Sequence, residues 1–193
     1  MTEAAPPLRR GWAVGAAAVT VGVYVLALWA IELVDTLTAN QLDGGGIAPW
    51  RPDGAWGILW APLLHRGWSH LIANTLPALV LGFLTLAVDY RRGLMATAII
   101  WIGGGAAVWL TGGPGTVHLG ASGLVFGWLT YVILRGVFSR RLGQIVIGLI
   151  VAALYGAVLW GVLPGQPGVS WQSHLFGAIA GVLAALWLRE RRR

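Results

Sequence analysis

The chain has no cysteine and no lysine, and only seven acidic side chains among its 193 residues. Without cysteine there is no disulfide framework and no thiolate metal site. Charged residues make up 10% of the chain, against about a quarter in a soluble domain. That is too few for an ordinary water-facing surface. With 57% hydrophobic residues and a mean hydropathy of +0.73, the composition describes a polytopic membrane protein, and the length allows one domain. The high pI, near 11.1, does not mark a nucleic-acid binder. The basic residues sit between apolar runs, not on a polar face interleaved with aromatics. A secretory leader is not expected either, because the run after Arg9 and Arg10 is too long for a signal h-region.

What is present is a series of apolar runs bounded by charge. They cover Trp12–Leu33, His70–Val88, Leu94–Leu110, Leu119–Leu134, Leu142–Leu163 and Trp171–Leu188. Most approach the ~20 residues that a helix needs to cross the hydrocarbon core. The expected fold is therefore an all-α membrane protein of six transmembrane helices spanning 12–188. A short segment, 1–11, precedes them and a basic tail, 189–193, follows. All thirteen basic residues are arginines. In this topology Arg9, Arg10, Arg91, Arg92, Arg135, Arg140, Arg141, Arg189, Arg191, Arg192 and Arg193 share one face, and only Arg51 and Arg66 face the other. Positive charge collects on the cytoplasmic side, so both termini are expected in the cytoplasm. The expected setting is an integral protein of a prokaryotic plasma membrane, with the lipid bilayer as its solvent.

Two features depart from a plain bundle. The connection from Asp35 to Gly67 is rich in Gly, Pro and Trp yet apolar, and is expected to lie on the membrane surface. The fourth run starts late: Thr111-Gly-Gly-Pro-Gly-Thr cannot be regular helix, leaving Ser122–Leu134 as its helical part. Irregular backbone at membrane depth survives only against protein or a wet cavity. No internal repeat is visible, which weighs against an inverted-repeat transporter.

Polar side chains inside membrane spans are functional-site candidates by default. His70 and Asn74 are i,i+4 neighbours on one helix face, Ser122 sits in Gly120-Ala121-Ser122-Gly123, and His174 opens the last span. Counting back from Arg135 and Arg189 puts Ser122 and His174 about 20 Å and about 22 Å above the inner arginines, at nearly one depth. Gly123 and Gly127 on one helix, and Gly177 and Gly181 on another, form two G-x-x-x-G faces that permit close approach. A serine becomes a good nucleophile when a neighbouring base takes its proton, and the developing oxyanion needs donors already in place. Ser122 at a helix start has free amides, and His70 and Asn74 can add side-chain donors. No carboxylate occurs between Asp89 and Glu190, so a Ser–His dyad is favoured over a triad, with Glu32, Asp35, Asp43 and Asp53 as possible distant contributors.

Three pieces, His65-Arg-Gly-Trp-Ser-His70-Leu-Ile-Ala-Asn74, Gly120-Ala-Ser122-Gly123 and Ser173-His174-Leu-Phe-Gly177-Ala-Ile-Ala-Gly181, resemble the rhomboid family of intramembrane serine proteases. The resemblance implies Ser122 as nucleophile and His174 as general base. It implies an oxyanion hole of His70, Asn74 and the Ser122 amide, membrane-anchored protein substrates, and no cofactor or metal. Two departures stand out. The first-loop Trp-Arg pair common in bacterial members aligns with Trp56-Gly57, with Trp50-Arg51 nearby, and the tyrosine that often stacks on the catalytic histidine is Phe126. His65 and His118 read as structural or interfacial. Two other functions compete: a catalytically silent relative that binds or escorts membrane proteins, and a metal or proton transporter using His65, His70, His118 and His174. Oligomeric state is not readable.

Overall fold

The computed structural model describes residues 10–166 and 168–189. The leading residues 1–9, Glu190 and the terminal Arg191–Arg193 lie outside the described residues, and with them most of the expected N-terminal segment and basic tail. Six helices organise the rest: α1 Arg10–Leu37, α2 Trp68–Val88, α3 Tyr90–Thr111, α4 Ser122–Ser139, α5 Leu142–Tyr155 and α6 Trp171–Trp187. A 3-10 segment, Gly156–Val162, continues α5. Helices α1 to α4, and α5 with its extension, are long and apolar enough to cross a membrane. At 17 residues, α6 reaches about 26 Å, slightly less than a core of ~30 Å.

Helix α4 is the centre of the bundle. In its most apolar stretch 67% of residues are buried, against 11% in α5 with its extension. Its Leu124, Val125, Trp128, Leu129 and Val132 pack with Ala78 and Leu81 of α2, Ile100 of α3 and Ala180 and Ala184 of α6. The fourth run therefore begins as expected at Ser122, but continues to Ser139, beyond the Leu134 of the apolar run. Midway along α3, Ile99–Gly104 widens into a π-helical stretch, a local irregularity often found near functional sites.

The tightest contact joins α4 to α6. A methyl group on Gly177 would strike the carbonyl oxygen of Gly123, and one on Gly181 would strike that of Gly127. The two G-x-x-x-G faces thus meet backbone to backbone, as small-residue faces do in membranes. Thr130 Oγ1 donates to the carbonyl of Ala178 at 2.8 Å and adds a polar tie in the same seam.

The first loop folds as short helical turns, Gln41–Gly45 and Asp53–Leu63, against α3. Indole N–H groups hold it down: Trp101 donates to the carbonyl of Ile58 at 2.9 Å, Trp109 to that of Arg51 at 2.9 Å, and Trp50 to that of Gly112 at 2.8 Å. Trp56 and Trp60 stay exposed on its outer surface.

At the opposite end of the bundle, Arg92, Arg135 and Arg189 border one small recess with Asp89. The sequence places Arg135 on one face with ten other arginines; the structure buries it to 5% exposure, with Nη1 donating to the Leu84 carbonyl at 2.9 Å. A long guanidinium can do this because α4 runs through the centre of the bundle, and α2 ends beside it with carbonyls to accept.

Gly181→Val is expected to lower the unfolding free energy by at least about 1–3 kcal/mol by overpacking the seam. Gly15→Val, on a face of α1 with nothing within 4 Å, should change it by less than about 0.5 kcal/mol. Denaturation midpoints in detergent check the pair; equal midpoints would contradict the close seam.

Candidate active site

The segment before α4 is shaped by hydrogen bonds that leave Ser122 at the start of the helix. Gly120 has φ +119°, a conformation side chains rarely adopt, and its amide donates to the Ala61 carbonyl at 2.8 Å. The Ala121 amide donates to His65 Nε2 at 3.3 Å. Helix α4 closes its first bond from the Val125 amide to the Ala121 carbonyl at 3.0 Å, so the amides of residues 122–124 have no acceptor within the helix. They carry the positive end of the helix dipole.

Ser122 and His174 meet at this point, with 2.9 Å between Oγ and Nε2. The other imidazole nitrogen, Nδ1, lies 2.9 Å from the Gly161 carbonyl oxygen. A carbonyl only accepts, so Nδ1 carries the proton in the neutral ring and Nε2 presents its lone pair to the serine hydroxyl. Phe126, one turn after Ser122, stacks on the imidazole at 4.1 Å between centroids and 10° between planes. The departure from tyrosine therefore keeps the stacking ring. Gly161 belongs to the 3-10 extension of α5, and any side chain there would crowd Phe126 and His174.

His70 stands on the other side of Ser122. Its Nδ1 accepts from the Arg66 amide at 3.3 Å, so in the neutral ring Nε2 carries the proton and is available to donate. A carbon built on Gly120 would fall 2.8 Å from His70 Nε2 and 3.7 Å from Ser122 Oγ; glycine at 120 leaves that space open. Asn74 donates one amide proton to the His70 carbonyl at 2.9 Å. Ser122, His174, His70 and Asn74 all line one cavity of about 810 Å³ that also borders Arg66, Phe126 and the loop residues Thr116 to Leu119. The four residues singled out by sequence thus face one space. Gly123, Gly127, Gly177 and Gly181 hold its two helices together, as described above.

The carboxylates of α1 and the first loop have other surroundings than His174. Asp53 pairs with Arg51 on the surface of the first loop, which holds its carboxyl below the ordinary value. Asp35 accepts from the Leu42 amide at 2.7 Å, and Glu32 is buried beside it at the end of α1. Asp43 is held above the ordinary carboxylate value by burial and by Asp35. Among the described residues, no group of three or more His, Asp or Glu side chains is arranged to hold a metal.

His65 and His118, which read from the sequence as structural or interfacial, both make structural contacts beside the site. His65 is fully buried, supports the turn before Ser122, and sits edge-on to His70 at 5.1 Å. His118 reaches across to Ser170, the N-cap of α6. The pattern Ser170-Trp-Gln-Ser173 was a capping signal available in the sequence; the partner of His65 was not, because it depends on how a loop folds.

A model of the Rhomboid domain matches residues 52–191. The chain belongs to the rhomboid family. An uncharacterized protein of Mycobacterium tuberculosis (strain H37Rv) is 49% identical over 193 residues, covering 96% of this chain and 80% of its own length. A Mycobacterium leprae protein, also uncharacterized, is 47% identical over the same share of this chain and 76% of its own. A Bacillus subtilis protein that carries the provisional name rhomboid protease YdcA is 30% identical over 163 residues, 82% of this chain and 77% of its own.

Burial pushes the His65 imidazole down from 6.5 to about 3. The unfolded chain therefore binds a proton that this rhomboid's folded state refuses. His65 contributes fully to stability above pH 6.5, and that contribution is lost as pH falls toward 3. One such proton corresponds to a slope of up to about 1.4 kcal/mol per pH unit. Unfolding midpoints in detergent at about pH 7.5 and pH 5 should show the wild type losing stability more steeply than His65→Asn. Parallel losses would contradict the burial of a neutral His65.

Proposed function

We propose that this rhomboid-family protein is an intramembrane serine endopeptidase that hydrolyses peptide bonds in or next to transmembrane segments of membrane-anchored substrates. Ser122 is the nucleophile and His174 the general base. The observation that carries the reading is the 2.9 Å Ser122–His174 bond, with the His174 Nδ1 proton committed to the Gly161 carbonyl. That arrangement sets the tautomer a general base needs, without a carboxylate.

In the reaction, Ser122 Oγ adds to the substrate carbonyl carbon while its proton passes to His174 Nε2. The imidazolium so formed keeps its Nδ1–H on the Gly161 carbonyl and its face on Phe126, whose negative ring face favours a cation. The oxyanion is met by the Ser122 amide, His70 Nε2–H and the remaining Asn74 amide proton. His174 then delivers its proton to the departing amine, the C–N bond breaks, and an acyl-serine remains. Water from the cavity adds to that ester, giving its proton to His174 and releasing the acid while Ser122 regains its hydrogen. Such positioned acid–base catalysis supplies about 10²–10⁴-fold, and each oxyanion donor about 10²–10³-fold.

The fold supports the membrane setting of this chemistry. Helix α6 is read as the sixth crossing, which makes 12–188 one six-helix unit and places both chain ends on the arginine-rich, cytoplasmic side. Ser122 then lies below the outer surface, and a substrate helix must open its backbone to reach it. Helix-weakening residues near the cut are expected for that reason. A silent binding relative would have no use for the shared proton between Ser122 and His174. A transporter built on the four histidines fits less well, because His65, His70, His118 and His174 each make a separate structural or dyad contact.

A reporter with one transmembrane segment, reconstituted with the protein in liposomes, tests the reading. Ser122→Ala and His174→Ala should reduce cleavage to background, and His70→Ala should lower kcat about 10²–10³-fold. Equal cleavage by wild type and Ser122→Ala would sink it.

A further inference from the structure

We propose that His118 and Ser170 are positioning residues for the Ser122–His174 pair, their side-chain bond fixing the start of α6 against the loop that precedes α4. This rests on the protease reading above. His118 Nδ1 lies 2.6 Å from Ser170 Oγ. His118 is four residues before Ser122, and Ser170 is four residues before His174. The chain thus carries two successive cross-ties between the same two segments, both on the wall of one cavity.

His118 is a fixed post. Its amide and carbonyl exchange bonds with Ile47 of the first loop at 2.9 and 2.8 Å, and its side chain is buried. Among the described residues of the segment entering α6, the backbone bonds are local ones, such as those from the Val169 amide to the Gln166 carbonyl and from the Trp171 amide to the Val169 carbonyl. Residues 163–166 and 168 are exposed, and Gly165 and Gly168 both take positive φ. Ser170 gathers the first turn of α6: its Oγ accepts from the Ser173 amide at 3.3 Å and lies 2.7 Å from Ser173 Oγ. Its carbonyl accepts from the His174 amide at 3.2 Å. Moving Ser170 therefore moves the backbone that carries the base.

The proton directions make the tie consistent. Thr116 donates its hydroxyl proton to the Gly113 carbonyl at 2.6 Å, so toward His118 Nε2, 2.8 Å away, it can only accept. In the neutral ring His118 then carries its proton on Nε2 and accepts the Ser170 hydroxyl proton at Nδ1. Ser170, having donated, accepts from Ser173 twice. No donor faces a donor anywhere along this chain.

The test compares His118→Leu, His118→Asn, Ser170→Ala and Ser170→Thr in the full-length protein, with the transmembrane reporter in liposomes. His118→Leu and Ser170→Ala should lower kcat by about tenfold to a hundredfold, the effect of a shift of about 1 Å at the reacting pair, with KM unchanged. His118→Asn, whose Oδ1 can stand where Nδ1 stood, and Ser170→Thr should recover most of it. Nitrogen-15 spectra of histidine-labelled wild type should show His118 as the neutral Nε2–H form, changed in Ser170→Ala, which gives a readout that survives if the Leu variant does not fold. Wild-type kcat in both His118→Leu and Ser170→Ala, while Ser122→Ala stays inactive, overturns this proposal and leaves the protease reading standing. So does a His118 proton found on Nδ1. Wild type no faster than Ser122→Ala overturns the protease reading, and this proposal with it.

Discussion

Everything at the site depends on α4 and α6 touching backbone to backbone. In lipid there is no hydrophobic pressure to push two helices together, so close packing and short polar ties must hold them. Gly177 against the Gly123 carbonyl, Gly181 against the Gly127 carbonyl, and the Thr130 hydroxyl on Ala178 supply that contact. The seam runs along both helices from their N-terminal ends. Ser122 stands at the top of one and His174 near the top of the other, so the spacing that lets the helices pack also sets the 2.9 Å between their side chains.

The second constraint is that polar groups at membrane depth need partners. The protein meets it with backbone acceptors and donors instead of carboxylates. Gly161 receives the His174 proton, Arg66 supplies the amide that orients His70, and His65 receives the Ala121 amide. Each choice fixes a tautomer, and the tautomers together leave one lone pair facing Ser122 and one N–H facing the space beside it. Backbone partners carry no net charge, so the site avoids burying an additional anion, which would cost several kcal/mol.

Much of this was legible in the residues. Ser122, His174, His70 and Asn74 are polar in spans that have few polar positions, and G-x-x-x-G spacing on two helices named the seam. Counting from the arginines put Ser122 and His174 at one depth, and the two do meet. The dyad could be favoured over a triad from the empty stretch between Asp89 and Glu190 alone. What escaped the sequence depended on loops. Gly161 acts through its carbonyl, which every residue has, and its place beside His174 comes from the 3-10 turn after α5. The sequence reads His65 and His118 as structural or interfacial but could not name their partners, Ala121 and Ser170, which are distant in the chain and carry no signature of the pairing. The arginine count groups Arg135 with ten others on one face, but its burial could not be read from the sequence, because it depends on α4 being the central helix.

The account turns on a serine activated by one histidine, and a fluorophosphonate probe reads that activation without any choice of substrate. The wild-type protein should be labelled, with the adduct mapped to Ser122 by peptide mass spectrometry, and His174→Ala and Ser122→Ala should remain unlabelled. Labelling of His174→Ala at the wild-type rate, or an adduct on any serine other than Ser122, would contradict it.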